Sequence, residues 1–239
     1  MKNYQKCSNI NYFINKNYIL HKIFFFIFIF NLFLFLNNMP SYADNSKSSI
    51  SKYSKENYIV LNIEYGTLVI QLYPDIAPEH VKRIQQLCNE KFYDGLKFHR
   101  AIPGFMVQTG DPLGNGTGSS NLPNLKAEFN SLNHDKGIVS MARNSNVNSG
   151  NSQFFIMLDK HSYLDHNYTA FGKVIFGINS DGKKTDGMDI LNKIHMGRDD
   201  NNGEVSDPTT INKMYLMSSS YDSEMEKIIW DNIEHNSIY

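Results

Sequence analysis

The chain has 239 residues, room for one domain of ordinary size with extensions at both ends. Hydrophobic residues make up 41% and charged residues 20%, a globular balance that excludes a wholly disordered chain. The formal net charge of −1 gives no electrostatic reason to expect a nucleic-acid partner.

Lys2, Lys6, Lys16 and Lys22 precede an apolar run from Ile23 to Leu36, interrupted only by Asn31, and no acidic residue occurs before Asp44. A run of about 14 residues suits the core of a secretory signal and is short for a membrane span. Ser41 and Ala43 satisfy the small-residue rule for cleavage after Ala43, so residues 1–43 read as a signal peptide and the mature chain as exported. The alternative is an uncleaved segment that anchors the domain to the membrane. Cleavage removes Cys7 and leaves Cys88 alone, which excludes an internal disulfide. Cys88 has apolar neighbours and reads as a small buried residue rather than a nucleophile. Residues 44–57 form a polar lead-in.

From Tyr58 the pattern becomes regular. Ile59, Leu61 and Ile63, then Leu68, Ile70 and Leu72, alternate on either side of Glu64-Tyr65-Gly66, which predicts a β-hairpin. Pro78 suits the first turn of a helix whose buried face is Val81, Ile84, Leu87 and Cys88. Five further short β-like runs follow: residues 96–102, 105–110, 137–143, 152–158 and 170–176. A second helix is predicted over Asp186 to Ile194, capped by Asp186, with Met188, Leu191 and Ile194 turned inward. Ile211 to Met217 supplies a last strand. The tail, 218–239, carries Trp230, and its Met225, Ile228, Ile229 and Ile233 allow a short amphipathic helix docked on the domain. Many short strands with Gly, Asn and Pro turns, plus two helices, make a mainly β fold, a closed or nearly closed barrel.

Several chemistries lack their residues. There is no HExxH or clustered Cys/His spacing for zinc, and no GxSxG elbow. The serines of SMAR and NSQFF have no His and Asp at a recognisable spacing. GNGTGS, residues 114–119, lacks the Gly-Lys-Ser/Thr ending of a phosphate loop, and the acidic stretch 199–207 has the wrong offsets for a calcium loop. No metal or cofactor is expected.

Two segments stand out: FHRAIPGFMVQTGDP at 98–112 and NSGNSQFFIML at 148–158. Together they resemble the cyclophilin family, and NIEYGTLVIQLYPDIAP, FYDG, GIVSMAR, LDHNYTAFGKV and DGMDILNKI follow in the family's order over residues 58–217. The MAR sequence and LPNLKAEFN look more like bacterial members. The resemblance implies an eight-stranded antiparallel β-barrel closed by two α-helices, and peptidyl-prolyl cis-trans isomerase activity on proline-containing clients. It implies Arg100, Phe105 and Gln108 as catalytic residues. It further implies a proline slot of Phe105, Met106, Phe155 and Leu164, a groove lined by Ala142 and Arg143 for the preceding residues, and His99 supporting that groove through hydrogen bonds. Tyr163 stands where eukaryotic members carry a tryptophan and Tyr168 where they carry a histidine, so cyclosporin binding is expected to be weak. His80, Arg83 and Ile84 depart from the family on the first helix, read as a change of packing. Residues 176–185 are an insertion read as a surface loop. Singly, each of these side chains is an ordinary core or surface residue; their order is what carries the reading. A non-catalytic client-binding groove, and an interaction protein working through the tail or insertion, are the other function classes. A Gram-negative periplasm is the expected location, with membrane attachment only if the signal is uncleaved. The sequons at Asn115 and Asn167 keep a eukaryotic secretory route as an alternative.

Overall fold

A computed structural model describes residues 54–217 and 224–236. The segment read as a signal peptide, most of the lead-in, and residues 218–223 and 237–239 of the tail lie outside these. Among the described residues no helix is long and apolar enough to cross a membrane.

Strands β1 (Tyr58–Ile63) and β2 (Gly66–Leu72) form the hairpin, with Ile63 opposite Gly66. Gly66 has φ +138°, and a Cβ there would sit 2.5 Å from the Ile178 carbonyl, so the turn requires glycine. The sheet continues through β3 (Arg100–Ile102), β4 (Met106–Thr109), β5 (Ile138–Met141), β6 (Phe154–Met157), β7 (Ala170–Ile178) and β9 (Ile211–Leu216). Their order is β3-β4-β6-β5-β7-β2-β1-β9, antiparallel throughout. The eight strands curl into a half-barrel rather than an uninterrupted ladder. Its two edges approach only through isolated bridges, Lys97 with Thr210 and Arg100 with Glu204, and bonds such as Phe98 N–H to Thr209 O at 2.9 Å.

The inner face of the hairpin joins Val107, Phe154, Ile156 and Phe171 in the main core. Helix α1 (Pro78–Asn89) contributes Val81, Ile84, Leu87 and Cys88, and α2 (Gly187–Leu191) contributes Met188, Ile190 and Leu191. Asp186 caps α2 by accepting the Met188 N–H at 2.9 Å. At α1 the preceding Ala77 has no capping side chain. Glu128 reaches in from a distant loop instead, accepting the N–H groups of Glu79 and His80 and the His80 Nδ1–H, the last at 2.6 Å. Arg83 donates to the Pro123 carbonyl at 2.7 Å and the Asn151 carbonyl at 3.4 Å. The departures at positions 80 and 83 are therefore polar braces between α1 and two loops, and not packing alone. Burial raises the Cys88 thiol pKa, in keeping with an inert core residue.

The insertion differs from its expectation as a loop. After Ile178 the chain turns, with Asn179 Oδ1 accepting from the N–H groups of Asp181 and Lys183, and returns as β8 (Lys184–Thr185) against β7. Asx-type turns and strand extension account for the order.

Both faces of the β1–β2 hairpin are apolar. The outer face, with Tyr58, Val60 and Val69, packs with Phe176, Ile178 and Met217 under helix α3 (Glu224–Asn236), which buries Ile229 and Ile233. Tyr58 meets Trp230 edge-on at 6.1 Å. Burying two isoleucines contributes about 3 kcal/mol or more, so removing residues 218–239 is expected to lower the thermal midpoint by roughly 10 °C. An unchanged midpoint by calorimetry would show that α3 is not docked.

Candidate functional site

Register builds the site. Arg100 pairs with Gln108 across β3–β4, Gln108 with Phe155 across β4–β6, and Phe155 with Ser140 across β6–β5. Residues directly opposite one another share a face, so these four form one row across the sheet. The next row holds Ile102, Met106 and Met157. Pro103 and Gly104 make the β3–β4 turn, with Gly104 at φ +68°. Around these rows a third apolar cluster collects Met106, Ile138, Phe155, Met157, Leu164 and Ala170, with Phe105, Ala142 and Tyr168 at its margin. The result is a slot of ≈110 Å³ lined by Arg100, Phe105, Met106, Gln108, Ala142, Arg143, Phe155, Leu164 and Tyr168.

One rim of the slot is a chain of hydrogen bonds. Arg100 donates through Nε to the Asn202 carbonyl (2.8 Å), through Nη2 to Asn202 Oδ1 (3.0 Å) and through Nη1 to Gln108 Oε1 (3.3 Å). Gln108 Nε2 donates to Gln153 Oε1 at 2.8 Å, and Gln153 Nε2 to the carbonyls of Gly116 and Gly118. Asn202 has φ +51°, a conformation that Asn tolerates better than most residues. Nη1 also reaches Met106 Sδ at 3.7 Å, a weak acceptor, so one N–H of Arg100, on Nη2, is left over from these bonds. Half-burial lowers its pKa, yet a guanidinium stays charged in proteins.

Two of the expected site residues lie outside the slot. His99 is not among the residues of the slot; it lines the adjoining cavity with Arg100, Gln108 and Gly116. It is 5% exposed, and neither ring nitrogen finds a hydrogen-bond partner among the described residues, which corrects the expected hydrogen-bonding role. Tyr163 is 63% exposed on a short 3-10 turn and forms an outer aromatic ledge with Phe105 and His161. The other nine come together.

Behind the slot lies a group that spacing alone did not reveal. His134, Ser140 and Asp165 form a Ser–His–Asp line, with Nδ1 3.0 Å from Asp165 Oδ1 and Nε2 3.0 Å from Ser140 Oγ. The His134 pKa is lowered by burial and the Asp165 pKa by hydrogen bonds from His134, so Nδ1–H donates to the carboxylate and Nε2 accepts the serine O–H. His134 and Ser140 are both 0% exposed, which excludes a nucleophile open to substrate. The imidazole stacks on Phe155 at 6.1 Å and meets Tyr168 edge-on at 6.5 Å, so the group supports two slot walls.

Burial holds the pKa values of His80, His99 and His134 below the ordinary 6.5. The unfolded chain then binds more protons than the folded one below that value, so stability rises with pH up to about 6.5 and is lost as pH falls below it. Asp111, whose carboxylate takes backbone N–H bonds from Leu113, Asn115 and Gly116, and Asp165 are lowered from 3.8 and add a second loss as pH falls below that value. The thermal midpoint should therefore fall between pH 7 and 5 and again below pH 4. A midpoint that stays flat from pH 7.5 to 5 in a calorimetric series contradicts buried neutral histidines.

Comparison with known proteins agrees with this geometry. Residues 58–216 match the family described as "Cyclophilin type peptidyl-prolyl cis-trans isomerase/CLD". A "Probable peptidyl-prolyl cis-trans isomerase" of Brucella suis is 44% identical over 169 residues, covering 66% of this chain and 81% of that protein. The crystal structure of a Cryptosporidium parvum cyclophilin, solved in the presence of the dipeptide Ala-Pro, is 29% identical with a TM-score of 0.58, covering 68% of this chain and 99% of that one. The cyclophilin AquaCyp293 from Hirschia baltica, 22% identical over 81% of this chain and 92% of its own with a TM-score of 0.59, shares the fold. The ordered segments, the curled antiparallel sheet and the arginine-rimmed apolar slot lead to one assignment: this chain belongs to the cyclophilin-type peptidyl-prolyl cis-trans isomerase family.

Proposed function

We propose that the mature chain is an exported isomerase of Xaa-Pro bonds in which Arg100 supplies most of the catalysis. The peptide bond has a barrier of about 18–20 kcal/mol because twisting breaks amide resonance. In the twisted state the nitrogen lone pair localises and becomes an acceptor. The unengaged Nη2 N–H of Arg100, or the Nη1 N–H held only by the weak Met106 Sδ contact, can donate to it or to the adjacent carbonyl oxygen, an interaction that strengthens as the bond turns and so lowers the barrier instead of only tightening binding. Going from about 10⁻² s⁻¹ to about 10 s⁻¹ requires roughly 4 kcal/mol. No proton is transferred and no covalent bond forms.

The observation that carries the proposal is a guanidinium clamped by Asn202 and Gln108 at the rim of an apolar slot. Phe105, Met106, Phe155 and Leu164 would take the proline ring and Gln108 the client backbone. The Ala-Pro dipeptide present with the Cryptosporidium cyclophilin is a ligand of the same chemistry. The test is a protease-coupled isomerisation assay on the mature protein. A first-order phase that quickens in proportion to enzyme supports catalysis, whereas binding of Xaa-Pro peptides without any acceleration would leave only a client-holding groove.

Export rests on Lys2, Lys6, Lys16 and Lys22, the Ile23–Leu36 run and the Ala43 site; N-terminal sequencing that begins at Asp44 supports it, and a mature chain retaining Met1 favours the anchor. Tyr163 lacks the indole N–H of a tryptophan, so cyclosporin binding is expected to be weak. Submicromolar affinity by calorimetry would contradict that.

A further inference from the structure

Beside the proline slot lies a second cavity of ≈250 Å³, which shares Gln108, Ala142 and Arg143 with it. Its lining contains one guanidinium and no carboxylate; the remaining polar groups are amides and hydroxyls. Arg143 donates to the Asn167 carbonyl through Nε (3.1 Å) and Nη2 (3.0 Å) and to the Asn144 carbonyl through Nη1 (2.9 Å). Its plane lies over the Tyr168 ring, 4.5 Å from the centroid. A guanidinium has five N–H groups, so these bonds leave one on each terminal nitrogen.

The amides around it are oriented as donors. Asn144 Oδ1 accepts the Asn146 N–H, which turns the Asn144 Nδ2 the other way. Asn151 Oδ1 accepts the Ser120 N–H, so its Nδ2 donates to Asn124 Oδ1, which leaves Asn124 with a donor end as well. The Nδ2 groups of Asn124 and Asn144 donate to nothing among the described residues, while the amide donors of Gln108, Gln153 and Asn151 are already engaged. The cavity therefore offers a fixed positive charge and spare donors, with no acid to balance them. A lysine or arginine side chain meets like charge there, and a carboxylate meets complementary charge.

We infer that Arg143 is a specificity-determining residue which makes this cavity select clients with Asp or Glu within three residues before the proline. The position rests on the isomerase reading above, in which the preceding residues run past Ala142 and Arg143. The slot discriminates poorly among clients, because every client presents the same ring; the neighbouring cavity reads the flanking side chain.

The test uses the mature protein and peptides in which Glu, Gln or Lys occupies each of the three positions before proline in an otherwise Ala-based sequence. Both Kd, by NMR titration, and kcat/KM, by the coupled assay, are measured. At one of these positions Glu is expected to bind about five- to tenfold more tightly than Gln, and Lys more weakly than both. The Glu/Gln ratio should approach one in Arg143→Gln, survive in part in Arg143→Lys, and shrink as salt rises from 20 to 500 mM (roughly 20 to 4 Å of screening length). Equal affinities for Glu, Gln and Lys at all three positions, or a preference that Arg143→Gln leaves intact, overturn the inference. Absence of turnover on the all-Ala peptide counts against the isomerase reading instead, because the Kd ratios report on Arg143 without catalysis.

Discussion

Arg100→Ala is expected to lower kcat/KM for Xaa-Pro isomerisation by about 10²- to 10³-fold, while peptide Kd changes far less. The barrier reduction required of the whole site is roughly 4 kcal/mol, and a preorganised donor aimed at developing electron density supplies about 3 to 4 kcal/mol in comparable sites. Arg100 is the one full charge that lines the slot on the β3–β4 rim, and its guanidinium is held in place by bonds to Asn202, Gln108 and Met106 Sδ. Arg100→Lys keeps the charge but loses the planar fork, and should fall between wild type and alanine. Because Arg100 is half-exposed, its loss should move the thermal midpoint little. If Arg100→Ala retains activity within threefold of wild type in the coupled assay, the electrostatic account fails, and the slot itself must restrain the amide.

Phe154 and Phe155 are expected to respond to alanine in opposite ways. They are neighbours on β6, and successive strand residues face opposite sides. Phe154 is 0% exposed in the main core, 5.5 Å from Tyr93 and 6.4 Å from Phe171 in edge-on contacts. Phe154→Ala should cost about 3 to 5 kcal/mol and lower the thermal midpoint by roughly 10 °C or more, with activity preserved at temperatures where the protein stays folded. Phe155 belongs to the slot cluster, stacked on His134 and edge-on to Tyr168. Phe155→Ala should raise KM and Kd for proline peptides about tenfold or more, through loss of apolar contact, with a smaller fall in midpoint. The comparison needs kinetics and calorimetry on both variants; similar midpoints with similar KM values would show that the two side chains do not divide between core and slot.

The β-hairpin, the run of short strands and the faces of α1 and α2 were legible because each depends on residues close in sequence. Alternation marks a strand, Pro78 opens a helix, and Asp186 caps one two residues before the N–H it accepts. The slot residues were legible through ordered motifs on paired strands. His99 was misplaced in role because a motif names neighbours without saying which partners each side chain finds in the folded chain. Asn202, Gln153 and Glu128 escaped notice as functional supports. Their signals are a turn-forming Asn-Asn-Gly, a glutamine already inside a motif, and a loop carboxylate 48 residues from the histidine it holds.

The Ser–His–Asp line shows the same limit more sharply, since His134 and Asp165 are 31 residues apart and no local period relates them. The half-barrel brings them together by pairing β5 with β6 and folding the 158–169 segment back, where a buried imidazole must find partners or lose the hydrogen bonds it had in water. Thus the amino-acid order by itself determined the family, most strand and helix positions and the nine slot residues, though not β8, because these rest on local periodicity and on motifs read in sequence. The tertiary structure alone decided which side chains hold Arg100 in place, which lie outside the slot, and what covers the outer face of the β1–β2 hairpin. Those depend on contacts between distant segments, which exist only once the sheet has curled.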